Sequence, residues 1–273
     1  RYFNLGNIDF RDIEGQPAGS GNPREFSFDL GYSRELSENL SVGASLRYIH
    51  SNIVSGAGST DIGADSKPAN AIAADLGVFY TKTTPQSGES EGTFNAGAVL
   101  TNVGSKVTYS EREKDFLPTR LGLGAAYYYQ IDRYNEIGFG IDLQKTLVPA
   151  PIQRKDENGD LYWDREYYRD MGVVKGIFES FTNAPKGYGT NIAVGAEYWY
   201  QQQFALRAGY YYEHKDNGNR QYLTAGLGIK YNVFGLNFSY LVPSGSGLTR
   251  NPLSNTLRFS LTFDFNELGK SEG

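Results

Sequence analysis

The 273-residue chain has no cysteine, one methionine, two tryptophans and two histidines. Without cysteine there is no disulfide framework, zinc ribbon, iron–sulfur cluster or thiol nucleophile. Two histidines exclude a multi-histidine metal site, and no cofactor is expected. A net charge of −5 lacks the basic footprint of a nucleic-acid partner. No run of 18 or more apolar residues occurs and the mean hydropathy is −0.48, which removes a transmembrane helix. A barrel is untouched by that test, because its strands need only about 9–11 residues with alternate positions apolar.

What is present is tyrosine, phenylalanine and glycine, at 21, 16 and 33 residues, within a hydrophobic fraction of only 39%. Globular domains usually draw their cores mainly from aliphatic residues such as Leu, Ile and Val. Here the apolar weight is aromatic, and it alternates.

Leu257, Phe259, Leu261, Phe263 and Phe265 alternate with Arg258, Ser260, Thr262 and Asp264. The same period of two runs through Leu236–Tyr240, Leu223–Tyr231, Phe204–Tyr212, Ile192–Tyr200, Ile137–Leu143, Leu121–Tyr129, Phe94–Leu100, Ile72–Tyr80, Leu40–Tyr48, Phe26–Tyr32 and an opening segment near Phe3–Phe10. About twelve strands result, each with one apolar face. The second face carries Gly, Ser, Thr and Asn, with Gly43, Gly77, Gly97, Gly124, Gly140, Gly195 and Gly226 among its glycines. Glycine within a strand fits a curved sheet with a crowded interior.

Connection lengths alternate too. Those near 243–253, 214–219, 146–189, 105–116, 51–70 and 12–23 are long, and those near 232–233, 201–203, 130–135 and 34–38 are short. Barrels of the outer membrane have short periplasmic turns and long external loops. The fold class predicted is therefore all-β, a transmembrane antiparallel barrel in the outer membrane, with long loops extracellular and the C-terminus periplasmic. Tyr32, Tyr80, Tyr127, Tyr129, Tyr198, Tyr200 and Tyr231 would form one interfacial girdle, and Tyr48, Tyr210, Tyr212 and Tyr240 the other. Residues 1–265 would be the barrel and 266–273 a periplasmic tail. The chain opens inside a strand at Arg1, so missing N-terminal strands and a plug are expected.

Several stretches resemble one family. Leu30-Gly-Tyr-Ser-Arg-Glu-Leu36 with Asn39-Leu-Ser-Val-Gly43 is similar to a hairpin of FadL-type outer-membrane transporters. Leu100-Thr-Asn-Val-Gly-Ser-Lys-Val107, Phe116-Leu-Pro-Thr119, Asp142-Leu-Gln-Lys-Thr-Leu-Val-Pro149, Gly195-Ala-Glu-Tyr-Trp-Tyr200, Phe204-Ala-Leu-Arg-Ala-Gly-Tyr210 and Asn255-Thr-Leu-Arg-Phe-Ser260 resemble the PorV family of the Bacteroidota type IX secretion system. That resemblance implies a FadL-like barrel of fourteen strands in the full protein and no enzymatic activity. Its implied partners are the translocon barrel, the C-terminal signal domains of cargo, and the surface sortase and attachment complex that joins cargo to lipopolysaccharide. The other reading is a FadL-type channel for hydrophobic small molecules.

Within the longest connection, Tyr167, Met171, Val174, Phe178 and Phe181 recur at helical spacing in one short helix, with Tyr168 and Ile177 beside them. Such a stripe either caps its own barrel or docks a partner. Asp29, Arg47, Asp75, Arg120, Asp142, Glu197, Arg207, Glu213, Lys230, Arg258 and Asp264 face the lumen by parity. Their balanced signs predict internal ion pairs, for example Glu197 with Arg207, where an ion-selective pore would favour one sign. Arg112, Lys114, Lys215 and Arg220 are rim cations suited to lipid or lipopolysaccharide phosphates. His50 with Ser51 and Asn52 would be needed for a lipid hydrolase, but adjacency makes no triad. The pairs Gly122/Gly124, Gly138/Gly140 and Gly226/Gly228 complete no phosphate-binding motif, and Asp156–Asp160 lacks the bidentate Glu of a calcium loop and reads as a turn.

Overall fold

A computed structural model describes residues 1–11, 14–52, 67–88, 90–109, 114–150, 152–155, 158–185, 187–244 and 256–264. The tail at 266–273 and the Asp156–Glu157 part of the acidic turn lie outside them.

Alternation becomes a single antiparallel wall. In chain order the elements are β1 (Tyr2–Asn4), β2 (Ile8–Arg11), β3 (Pro17–Gly21), β4 (Arg24–Ser37), β5 (Leu40–Asn52), β6 (Ala69–Pro85), β7 (Glu91–Gly104), β8 (Arg120–Gln130) and β9 (Asn135–Thr146). There follow β10 (Gln153–Lys155), β11 (Leu161–Trp163), α1 (Arg165–Asp170), α2 (Val173–Thr182), β12 (Thr190–Tyr200), β13 (Phe204–Glu213), β14 (Gln221–Tyr231), β15 (Phe234–Pro243) and β16 (Leu257–Phe263). Twelve strands pair as neighbours in the order β1-β4-β5-β6-β7-β8-β9-β12-β13-β14-β15-β16. This is the up-and-down wall of a membrane barrel. The hairpins β2–β3 and β10–β11 stand apart from it.

The two faces of the wall differ as the period of two requires. Phe28, Leu30, Leu46, Ile72, Leu76, Phe139, Ile141, Leu206, Leu227 and Phe259 are all more than half exposed on the outer face. Such a surface is intolerable in water and ordinary in lipid. On the inner face, registers line up Tyr128, Gly138, Glu197, Arg207, Gly226, Ser239 and Arg258 in one row across seven strands. Glycine is placed there beside long side chains. A Cβ at Gly138 would meet the Tyr128 ring at 2.6 Å, and one at Gly228 would meet Arg207 Nη1 at 2.8 Å.

Long and short connections collect at opposite ends of the wall. At the short end, Asn232 takes φ +50° in the tight β14–β15 turn, a conformation asparagine tolerates better than most residues. At the long end, the 105–119 connection folds back over the mouth: Val107 and Leu117 are buried against Ala69, Ala71 and Ala73 of β6.

Two expectations are corrected. The opening segment is not one strand, because Gly6 at φ +74° with its N–H on Asn4 Oδ1 (2.7 Å) breaks it after β1, and β2 pairs with β3 instead. The single helix in the 146–189 connection is two helices, broken where Met171 (φ −70°, ψ 127°) and Gly172, the N-cap of α2, take extended backbone.

Candidate functional site

The 146–189 connection is built, not loose. Asp164 caps α1 by accepting the Tyr167 N–H at 3.0 Å and pairs with Arg154 of β10 at 2.6 Å, tying the hairpin to the helix. At the other end of α1, Lys106 Nζ donates to the Tyr168 carbonyl and, at 3.2 Å, to that of Arg169, where the helix dipole favours a cation. Lys106 also lies 4.0 Å over the Phe116 ring. Burial there, with Lys114 nearby, holds the ammonium below its ordinary pKa.

α2 docks on the same spot through small residues. Gly176 and Ser180 are buried, and a Cβ at 176 would meet Phe116 at 2.7 Å and Pro149 at 3.4 Å. A side chain larger than hydrogen would lift the helix off.

The break between the helices divides the five-residue stripe and the two residues beside it. Met171 is buried and Tyr167, Tyr168 and Ile177 are half-buried, while Val174, Phe178 and Phe181 are exposed. Tyr167 and Tyr168 meet edge to face at 5.9 Å, and burial pushes the Tyr168 phenol up. Tyr167 and Met171 line a hollow of about 360 Å³ with Arg154, Asp164, Glu166, Asp170 and Lys175. Tyr167, Met171 and Arg154 in that lining are of the residue types enriched at protein–protein interfaces.

Inner-face charges form two networks. Arg47 joins Asp29, Asp75 at 2.8 Å and the side-chain Oδ1 of Asn102. Arg207 donates to Glu197 and Asn237, each at 2.8 Å, and stands 5.1 Å over Trp199. The expected Glu197–Arg207 pair is therefore present, and Lys230 reaches Asp264 at 3.6 Å. Among the described residues no ion pair engages Arg120, Asp142 or Arg258. A cavity of about 670 Å³ lies against the inner face, where Phe79, Val99 and Tyr128 stand among the glycines with Asp142. The interior is thus less polar than alternation alone predicts.

Rim cations divide as well. Arg220 is bound by Glu213 at 2.5 and 2.6 Å, so it is not the free cation the sequence suggested. Lys114 and Lys215 are exposed, and Arg112 lies outside the described residues. His50 contacts Asn70 Oδ1 at 2.9 Å and the Phe26 ring at 5.0 Å on the outer face, whereas Ser51 turns inward to Glu25 and Tyr109. Opposite faces of one strand cannot form a triad. Lys106, Lys145, Phe116 and Asn102 lie in stretches that carry the family resemblance, but their roles rest on contacts at long sequence separation that no local pattern showed.

A family model described as Type IX secretion system protein PorV matches residues 1–153. The chain belongs to the PorV family. It is an outer-membrane protein of the type IX secretion system and works among that system's proteins. No curated protein sequence matches it. Among solved structures, the Pseudomonas putida toluene transporter TodX is similar, with 12% identity and a TM-score of 0.42 over 88% of this chain and 71% of that chain. The matched PorV region contains β1–β9, the 105–119 connection with Lys106 and Phe116, and the start of the 146–189 connection.

Proposed function

We propose that this PorV-family barrel is a carrier. It binds the C-terminal signal domains of cargo leaving the translocon barrel and delivers them to the surface sortase and attachment complex. The long-connection end faces the cell exterior and the C-terminus the periplasm. Residues 1–265 act as one barrel unit and chemistry is left to the partners.

The observation that carries this reading is the platform at the long end. Arg154–Asp164 ties the hairpin to α1, Lys106 and Phe116 of the 105–119 connection hold α1 and Gly176 of α2, and together they present the Tyr167 corner beside its charged hollow. A pre-organised surface binds without the entropy cost of ordering a loop.

Pull-down of a cargo signal domain on the full chain in detergent tests it. Tyr167→Ser with Lys175→Ser should weaken capture roughly tenfold or more, the scale of an aromatic anchor. A barrel that holds neither signal domain nor translocon would sink the carrier reading. The 670 Å³ inner cavity with Phe79 and Val99 favours the second reading, a channel for hydrophobic small molecules. Uptake of a fatty acid into liposomes, abolished by Val99→Trp, would support it instead.

A further inference from the structure

α2 is inverted relative to a helix of a water-soluble surface, which buries its large apolar side chains and exposes small or polar ones. It buries Gly176 and Ser180, while Val174, Phe178 and Phe181 are 67%, 68% and 53% exposed. Those three follow at i, i+4 and i+7, so they share one face.

Location indicates what covers that face. On β9, Phe139, Ile141, Leu143 and Lys145 alternate onto the outer side, and the first three are exposed apolar residues of the lipid-facing band. Lys145 is next in that file, at the long-connection rim. Its ammonium donates to the Tyr188 carbonyl at 3.0 Å and lies 5.4 Å from the centre of the Phe181 ring. The C-terminal end of α2 therefore sits on the outside of the wall, immediately beyond the last lipid-facing leucine. The stripe continues the lipid-facing band past the end of the strand. Polar side chains of the helix point elsewhere: Lys175 lies 5.7 Å over the Tyr167 ring and Glu179 accepts from Asn183.

We propose that α2 is an interfacial helix lying in the membrane leaflet at the long-connection end, with Val174, Phe178 and Phe181 in lipid. Helices of this kind bury an apolar face roughly 5–10 Å into the headgroup and acyl boundary. The helix then fixes the height of the Tyr167 corner above the bilayer. The inference needs only that the wall spans a membrane, so it stands or falls separately from cargo binding.

The cysteine-free chain suits single-site labelling. Val174→Cys and Phe178→Cys, each carrying an environment-sensitive fluorophore, are compared with Glu166→Cys on α1 after reconstituting the full chain into phosphatidylcholine vesicles with brominated acyl chains. The labels at 174 and 178 should lose at least half their emission to the brominated lipid and resist aqueous iodide, and the label at 166 should do the opposite. Iodide quenching equal at all three sites would make α2 a water-exposed lid and overturn the proposal. Shielding of 174 and 178 that appears only when translocon protein is added would also overturn it, assigning the face to a protein partner. Two labelled positions keep a single disturbed side chain from deciding the result.

Discussion

Arg47 shows how one residue organises the interior. Its guanidinium bridges Asp29 on β4 and Asp75 on β6 and reaches Asn102 of β7, so four strands share one cation. Asn102 is held in place by its own N–H on Asp75 Oδ1 at 2.8 Å. Removing the cation would leave two carboxylates facing each other across neighbouring strands of the inner face. Arg47→Met should cost about 2–3 kcal/mol, below the full value of a deeply buried pair because Asp29 is partly exposed. A lowered urea midpoint for unfolding from vesicles would record it, and an unchanged midpoint would show that the network is dispensable.

Asp132, in the turn between β8 and β9, is a residue whose effect depends on pH. It accepts the Tyr134 and Asn135 N–H groups at 2.7 and 2.9 Å, and the Tyr134 bond leads in holding its carboxyl below the ordinary range. A depressed folded value means that the stabilisation is complete above the unfolded value, roughly pH 4, and is lost as pH falls through the folded one. Hydrogen-exchange protection of those two amides should therefore hold at neutral pH and collapse in strong acid. Asp132→Ala should lack it at every pH.

At the scale of elements, helical spacing located the helical segment of the 146–189 connection but ran straight through its break. A period continues through any residue of the right polarity, whereas the break depends on Met171 turning inward and on Gly176 finding Phe116, a contact across 60 residues. Gly176→Val tests that contact. Overpacking of this kind costs about 1–3 kcal/mol, and here it should act locally. Limited proteolysis should cut the 146–189 connection faster while the wall strands stay intact, and cargo capture should fall with it. If the strands become susceptible too, the platform supports the wall as well as resting on it.

The bulge between β6 and β7 was equally silent. Thr101 and Asn102 together oppose Asp75, and Asn102 takes φ +57°. Nothing in an alternating run announces where one extra residue is inserted. Gly104 lies just beyond, where a Cβ would fall 2.1 Å from the Ile72 carbonyl oxygen, so only glycine fits.

At the scale of the molecule, the wall was legible because its pattern needs no long-range information. Each strand writes lipid on one side and interior on the other, and hairpin pairing follows chain order. What alternation could not reveal was which inner residues are apolar, since Phe79 and Val99 occupy positions the pattern assigns to polar groups. The same two-sidedness yields a paired prediction on β9. Ile141 is on the outer face near the middle of the strand and Gln144 is on the inner face. Arginine in place of Ile141 must enter hydrocarbon, at a cost of about 2–4 kcal/mol near the bilayer midplane. Arginine in place of Gln144 enters a hydrated interior beside Asp142 and should stay within about 0.5 kcal/mol. Unfolding from vesicles should separate the two variants clearly, and unfolding in denaturant-exposed detergent, where the outer face is more easily wetted, should narrow the gap. Equal stability of the two in vesicles would mean that the face carrying Phe139, Ile141 and Leu143 does not meet lipid.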